Sequence, residues 1–408
     1  MLNDIIATLR GMSRDVWILC LGWFVSALGF AASMPFISIY FHREYGMTVG
    51  EIGLFFGAMA IVRASSQAFA GEMSDRLPRR SILIHSQTLR AVAFALLASV
   101  VFLKGGLGWM AVGLFFNFIL GAIFQPVANA MISDFLPPEK RIDGFALIRA
   151  AGNMGWAAGP ALGGWLAASS YGLLFIVSAI LTLTSAIIVM AFLGNPPTIT
   201  ATDRFKMTDL LAIRNDKLLA RHCLLILALY LVVAQLIVPF SLYATQTVGL
   251  SETELGYLFG INGLIVVALQ IPITKLLAKT RLTTQLVIGS LFYFVGYSAI
   301  GFLSSFWMFA CAIVTITIGE NVMSPPSLAL TARLAPAGRM GRYMGIFAFF
   351  VTAGWSLGPL YGGQILEHFG DSPRLAWIVL ASLSLVSAGG YLLFRRPLPA
   401  TLDNGSAV

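Results

Sequence analysis

The sequence predicts an all-α membrane protein, with twelve transmembrane helices in two pseudo-symmetric six-helix bundles. Three observations carry that expectation. Of the residues, 58% are hydrophobic and 11% charged, with a mean hydropathy of +0.84; a soluble domain carries roughly a quarter charged residues. The apolar residues gather in long runs, and a spanning helix needs about 20 of them. The stretch GWAAGPALGG at 155–164 returns as GWSLGPLYGG at 354–363, a shift of close to half the chain. Solenoid units recur every 20 to 50 residues or so, so a period this long points to two fused bundles.

Six spans are expected in the first half, at about 16–41, 52–71, 81–102, 109–132, 144–169 and 171–193. The first follows Arg10 and Arg14 and outruns the roughly 7–15 apolar residues of a cleavable signal, so it stays as an anchor. The second half repeats the pattern at about 223–245, 255–277, 283–306, 308–334, 341–366 and 376–394. Matched positions support the pairing of halves: Pro35 with Pro239, Glu51 with Glu254, Gly53 with Gly256, Gly57 with Gly260, Gln67 with Gln270 and Pro126 with Pro325. The organisation is therefore an N-terminal bundle over 1–193, a polar linker over 194–222 containing NPPTITATDRFK, and a C-terminal bundle over 223–408.

The net charge of +8 does not indicate nucleic acid, because the basic residues are scattered through short loops rather than interleaved with aromatics on one surface. They act as topology signals. With a cytoplasmic N-terminus, the inside loops collect Arg76, Arg79, Arg80, Lys140, Arg141, Arg204, Lys206, Lys275, Lys279, Arg333, Arg339 and Arg395, while the outside loops keep only Arg43, Lys104 and Arg374. This places both termini and the linker inside, in a bacterial-type inner membrane. Cys20, Cys223 and Cys311 fall in apolar runs, so no disulfide framework or metal site is expected. His42, His85, His222 and His368 form no ligand motif, and no nucleophile with a base is visible. No enzyme and no cofactor beyond a proton gradient is expected; the partners are a small-molecule substrate, protons and membrane lipids, and the chain is expected to act as a monomer.

Two six-helix halves in one orientation are the parallel repeat of the two lobes of major facilitator transporters. The loop GEMSDRLPRR resembles that family's signature between its second and third helices, with Gly71, Asp75, Arg76, Arg79 and Arg80 at the matching positions and Pro78 where glycine is usual. GWAAGPALGG resembles the motif of the family's proton-driven exporters. The resemblance spans essentially the whole chain. It implies that Asp75 and Arg76 latch the lobes on the cytoplasmic side, and that helices one, four, seven and ten line a central cavity. It further implies that the fifth and eleventh helices meet between the lobes, which makes Gly159, Pro160, Gly358 and Pro359 rocking surfaces. Exporters of this type commonly carry an arginine at the position of Asn117, four before Gly121, so its task falls to another residue or to none.

The physics of that loop stands apart from the resemblance. A carboxylate at a helix boundary can meet the positive N-terminal end of a neighbouring helix, and arginines can meet acids or lipid phosphates. Arg79 and Arg80 are read as topology markers. Charges inside spans are functional hypotheses by default, since each costs at least about 2.5–3.5 kcal/mol on insertion scales. Arg63, in the middle of the second span, is assigned a site role. Arg90, in the third, either joins the site or snorkels past His85 and Gln87 to the cytoplasm. Glu320 is the one acid deep in any span, roughly 18 Å from its outer end at about 1.5 Å per residue. Intramembrane acids mark proton and substrate paths, so Glu320 and Arg63 are expected to couple protons; a structural ion pair is the alternative for Glu320.

Asn117, Gln125, Gln235 and Asn321 complete a mildly polar cavity floor with Glu320, Arg63 and Arg90, although residues of these types more often make ordinary interhelical hydrogen bonds. A mostly apolar cavity suits an amphipathic molecule of drug size. Glu320 favours a cationic substrate and the arginines an anionic or zwitterionic one. The expected function is proton-coupled export of amphipathic small molecules, of the multidrug type, by alternating access. The alternative is a carrier for one anionic or zwitterionic metabolite, lysolipid or siderophore-like compound.

Overall fold

The computed structural model describes residues 11–137, 140–194, 216–336 and 339–404. Among the described residues there are helices and turns and no strand. Twelve long helices follow one another: α1 (Arg14–Tyr45), α2 (Val49–Arg76), α3 (Arg79–Phe102), α4 (Leu107–Phe135), α5 (Arg141–Ser169), α6 (Tyr171–Phe192), α7 (Lys217–Thr247), α8 (Glu252–Leu277), α9 (Leu282–Ile300), α10 (Phe306–Leu334), α11 (Met340–His368) and α12 (Pro373–Phe394). Eleven are long and apolar enough to cross a membrane. The exception is α5, whose sequence mixes Arg149, Asn153 and Pro160 with repeated glycines.

Several helix ends lie beyond the apolar runs because a hydrogen-bonded turn does not require an apolar side chain, whereas α9 stops at Ile300, with Gly301 at its C-cap, short of the 306 expected. α7 begins at Lys217 rather than near Cys223: Asp216 caps it, accepting from the N–H groups of Leu218 and Leu219 at 3.0 Å. α2 and α8 start with reciprocal capping boxes. Thr48 and Glu51 exchange side-chain-to-backbone hydrogen bonds of 2.8 and 3.2 Å, and Ser251 and Glu254 repeat the same pair of distances. Most of the linker, 195–215, lies outside the described residues.

Two helices are broken. α4 is interrupted at Ala122 and Ile123, just ahead of Pro126. α7 passes through a 3-10 turn at Ala234–Leu236 before restarting at Pro239. A proline removes the N–H that would bond to the carbonyl four residues back and crowds it, and each break lies within that reach.

The helices form two compact units. Unit 1 comprises Met1–Tyr40, Ile61–Thr202 and Ser251–Gly260; unit 2 comprises Phe41–Ala60, Asp203–Leu250 and Ile261–Val408. In unit 1, α3 packs along α6 and α4. In unit 2, α9 packs along α12 and α10, and α7 along α11. The α9 pairings are the α3 pairings moved on by six helices, so the duplication in sequence is a duplication in packing. A continuous apolar core in unit 1 includes Val16, Leu19, Leu83, Phe124, Met131 and Val189, all fully buried.

The duplicated glycine motif has two faces. Gly155, Gly159 and Gly163 lie against α1 of their own repeat: a Cβ on Gly159 would stand 2.6 Å from the Cβ of Ala31. Gly354, Gly358 and Gly362 lie in the same way against α7. The last glycine of each copy faces elsewhere. Within unit 1, Gly164 meets Gly256 of α8, and a Cβ on Gly256 would stand 2.9 Å from the carbonyl oxygen of Pro160. Within unit 2, Gly363 meets Gly53 of α2, where an added Cβ would stand 2.6 Å from the carbonyl oxygen of Pro359. The two crossings are reciprocal, and each depends on small residues that let backbones approach.

Candidate functional site

Arg90 is the centre of the polar interior of unit 1. It is 3% exposed. Its guanidinium donates from Nε to Oδ1 of Asn117 at 3.4 Å and from Nη1 to Oγ of Ser26 at 3.3 Å. Ser26 passes the chain on by donating to Oε1 of Gln87 at 2.8 Å. The guanidinium carbon lies 4.7 Å from the ring centroid of Phe30 and 5.7 Å from that of Phe94, which is cation–π range. Gly121 makes room for it, because a Cβ there would stand 2.7 Å from that carbon. Snorkelling is therefore not what this side chain does: its head is held inward by α1, α3 and α4.

A cavity of about 80 Å³ opens beside Arg90. Arg63, half-buried on α2, shares its lining with Arg90, Asn117 and Gln125. The positive charge of Arg63 acts on Arg90, and Arg63 has no hydrogen bond or ion pair to another described residue. The walls are Trp23, Ala27, Phe30, Phe118 and Trp156. These rings hold one another: Trp23 stacks on Phe124 at 5.0 Å, and Phe30 meets Phe118 and Trp156 edge-on at 5.9 and 5.8 Å. No acid lines the cavity among the described residues. Four of the expected site residues, Arg63, Arg90, Asn117 and Gln125, are thus brought together.

Glu320 lies in unit 2, half-buried on α10. Asn262 of α8 lies beside it and donates from Nδ2 to Oγ1 of Thr317 at 2.8 Å. The phenols of Tyr293 and Tyr297 on α9 lie within reach of its charge. Tyr297 is committed to the carbonyl of Val233 at 2.9 Å, whereas the hydroxyl of Tyr293 has no partner among the described residues. Glu320 forms no ion pair with a described residue.

The remaining expected residues take up backbone contacts or fall outside the description. Gln235 is fully buried and donates to the carbonyls of Gly358, at 2.8 Å, and Leu231, so it ties α7 to α11 at the break in α7. Asn321 donates to the carbonyl of Ile265 at 3.3 Å and accepts from Gln270 through its own carbonyl at 3.1 Å, joining α10 to α8. The side chains of Asp75 and Arg76 lie outside the described residues. At the same end of unit 1, Arg79 pairs with Asp134 of α4 and donates to the carbonyls of Ser74, at 3.2 Å, and Ala130, at 3.0 Å. Arg79 is therefore more than a topology marker.

Sequence reasoning overlooked Ser26, Asn262 and Tyr293, and took Gln87 only as a residue on the snorkelling path of Arg90. A polar residue recurring within an apolar span was the signal for each, but single serines and tyrosines are too common in such spans to stand out.

Two six-helix repeats that hold arginines and a glutamate at membrane depth define a multi-pass membrane transporter. The Major Facilitator Superfamily family model matches residues 19–359 and, in an overlapping second match, 223–407. The chain belongs to the Major Facilitator Superfamily. It is 29% identical over 400 residues to the MFS-type transporter YttB of Bacillus subtilis (strain 168), covering 96% of this chain and 98% of the relative. It is 25% identical over 383 residues to the multidrug resistance protein MdtH of Aeromonas hydrophila, covering 91% of this chain and 93% of that one. Among solved structures, a bacterial homologue of the human lysosomal transporter Spinster superposes with a TM-score of 0.77 at 14% identity, over 98% of this chain and 100% of the other. That likeness concerns the fold.

Proposed function

We propose that the chain is a secondary active transporter that exports amphipathic small molecules in exchange for protons, by alternating access in a bacterial inner membrane with both termini cytoplasmic. The observation that carries this reading is Glu320: a carboxylate deep in a membrane span that lies beside Asn262 and makes no ion pair with a described residue. An acid tied to an arginine would be structural, whereas one with only neutral neighbours is free to exchange a proton. The relatives named multidrug resistance proteins support the export of varied amphipaths. A ligand shifts the two access states only through its differential affinity for them, so substrate and proton are taken to compete for the state in which Glu320 is accessible.

The test is transport by Glu320→Gln in proteoliposomes at several pH values. Substrate exchange without a gradient is expected to persist, while accumulation driven by a proton gradient falls at least tenfold and loses its pH dependence. Unchanged pH dependence would remove the assignment. A second reading, a carrier for one anionic or zwitterionic metabolite, lysolipid or siderophore-like compound, is favoured by the paired arginines of unit 1. Gradient-independent transport of a single anion, with no efflux of lipophilic cations, would put it in first place.

A further inference from the structure

We propose that Arg63, Arg90 and Asn117 form a subsite for one oxyanion, a carboxylate or a phosphate, carried on an apolar or aromatic body. The proposal deepens the transporter reading above and rests on it for the role of the bound molecule.

Charge is the first argument. Two guanidinium groups share a cavity with no acid in its lining, and the partners of Arg90 are neutral oxygens and ring faces. A cation removed from water is costly unless it is paired. The protein supplies hydrogen-bond acceptors to Arg90 but no counter-charge to either arginine among the described residues. An entering anion provides one, and arginine suits carboxylate and phosphate because its planar fork matches their oxygens.

Asn117 supplies the second argument, which is independent of charge. It is 1% exposed, and its Nδ2 has no hydrogen-bond partner among the described residues. Its orientation follows from chemistry: a guanidinium only donates, so the amide oxygen faces Arg90 and the NH2 group faces away. A buried donor left without an acceptor destabilises the site until one arrives. A ligand acceptor that reaches this NH2 group would give it the partner the protein withholds.

Size and shape limit what enters. The cavity of about 80 Å³ holds a head group, whereas sites for whole drug-sized ligands run to about 300–1,000 Å³. The body of the ligand then lies against Trp23 and Trp156, which also line the cavity. An organic cation could in principle use the same rings, but Arg90 already covers the face of Phe30 at 4.7 Å, and such a ligand would meet two positive charges.

The experiment measures binding to the purified full-length chain in lipid nanodiscs, without a proton gradient. The probes are 1-naphthoate, 1-naphthyl phosphate and 1-naphthylmethylammonium, matched in body and differing in charge, with inorganic phosphate as competitor. Both anions are expected to bind at least tenfold more tightly than the cation. Arg63→Gln should weaken the anions about tenfold and leave the cation unchanged, while Arg63→Lys retains most of the preference. Inorganic phosphate should compete only at far higher concentration than naphthyl phosphate; equal potency would overturn the amphipathic part of the proposal. A cation that binds the wild type as tightly as the anions overturns the subsite, and this comparison needs no variant. Asn117→Asp, which places a carboxylate beside both arginines, should abolish the anion preference; an unaltered preference would also overturn it. Because no gradient is used, failure here leaves the Glu320 result standing, and the converse holds.

Discussion

Gly121 and Arg90 occupy one space: a Cβ on the glycine would stand 2.7 Å from the guanidinium carbon and 2.9 Å from Nε. The atoms it meets are the far end of a long side chain, so that chain would swing away and lose Asn117 and Ser26. Gly121→Val is expected to cost about 1–3 kcal/mol in stability, as overpacking usually does. It should also weaken naphthoate binding as strongly as Arg63→Gln. Thermal unfolding and binding on the same preparation check both, and full affinity in a folded variant would show that Arg90 is not needed where it lies.

The reciprocal glycine crossings predict a contrast between neighbouring positions. At Gly256 an added Cβ meets backbone, with the carbonyl oxygen of Pro160 at 2.9 Å and the Cα of Gly164 at 3.0 Å. At Gly260, one turn on, it meets only the Cβ of Ala161 at 3.5 Å. Gly256→Ala should lower the unfolding temperature measurably, and Gly260→Ala should stay within about 0.5 kcal/mol of the parent. Gly53→Ala should behave like Gly256→Ala, because it faces the carbonyl oxygen of Pro359 at 2.6 Å.

Arg79 and Asp134 form an ion pair whose side chains are 11% and 8% exposed. Removing one partner of a buried pair typically costs about 3–5 kcal/mol, because the other charge is left behind. Asp134→Leu and Arg79→Met are each expected in that range. The double variant Arg79→Met with Asp134→Leu should lose less than the sum of the two single changes. Chemical denaturation of all three closes the cycle, and strict additivity would mean that the pair carries no coupling.

His222 is fully buried and bonded at both ring nitrogens: Nδ1 with the hydroxyl of Tyr391 at 3.0 Å, and Nε2 with the carbonyl of Ser327 and Oγ1 of Thr331 at 3.1 Å. Its ring stacks on Phe347 at 5.7 Å. Tyr391→Phe should cost about 1–3 kcal/mol by leaving Nδ1 unpaired, with little effect on the Michaelis constant for transport. A large change in that constant would move this cluster from scaffold to site.

The twelve helices were legible because length and hydropathy are properties of a run of residues, which membrane spanning constrains directly. The helix ends were less so. α7 starts six residues before its apolar run because Asp216 satisfies its first N–H groups, and capping adds no hydropathy signal. The site was legible by residue type and much less by partner. Arg63, Arg90, Asn117 and Gln125 stood out as polar groups in spans, but Gln235 and Asn321, with the same signal, turn to backbone carbonyls. Composition cannot separate these outcomes, since an amide serves a ligand and a helix backbone equally well.

The sequence by itself determined the number of long helices, the repeat, and the two kinds of charge placed inside apolar runs, because each is written along one dimension. The tertiary structure alone decided which of those charges meet. Arg63 and Arg90 share a cavity only because α2 and α3 are rotated to bring them there and Gly121 of α4 leaves the space open. Within unit 2, Glu320 lies beside Asn262. Rotation and close approach of helices depend on side chains packing across the interior, and a single helix's own sequence does not contain them.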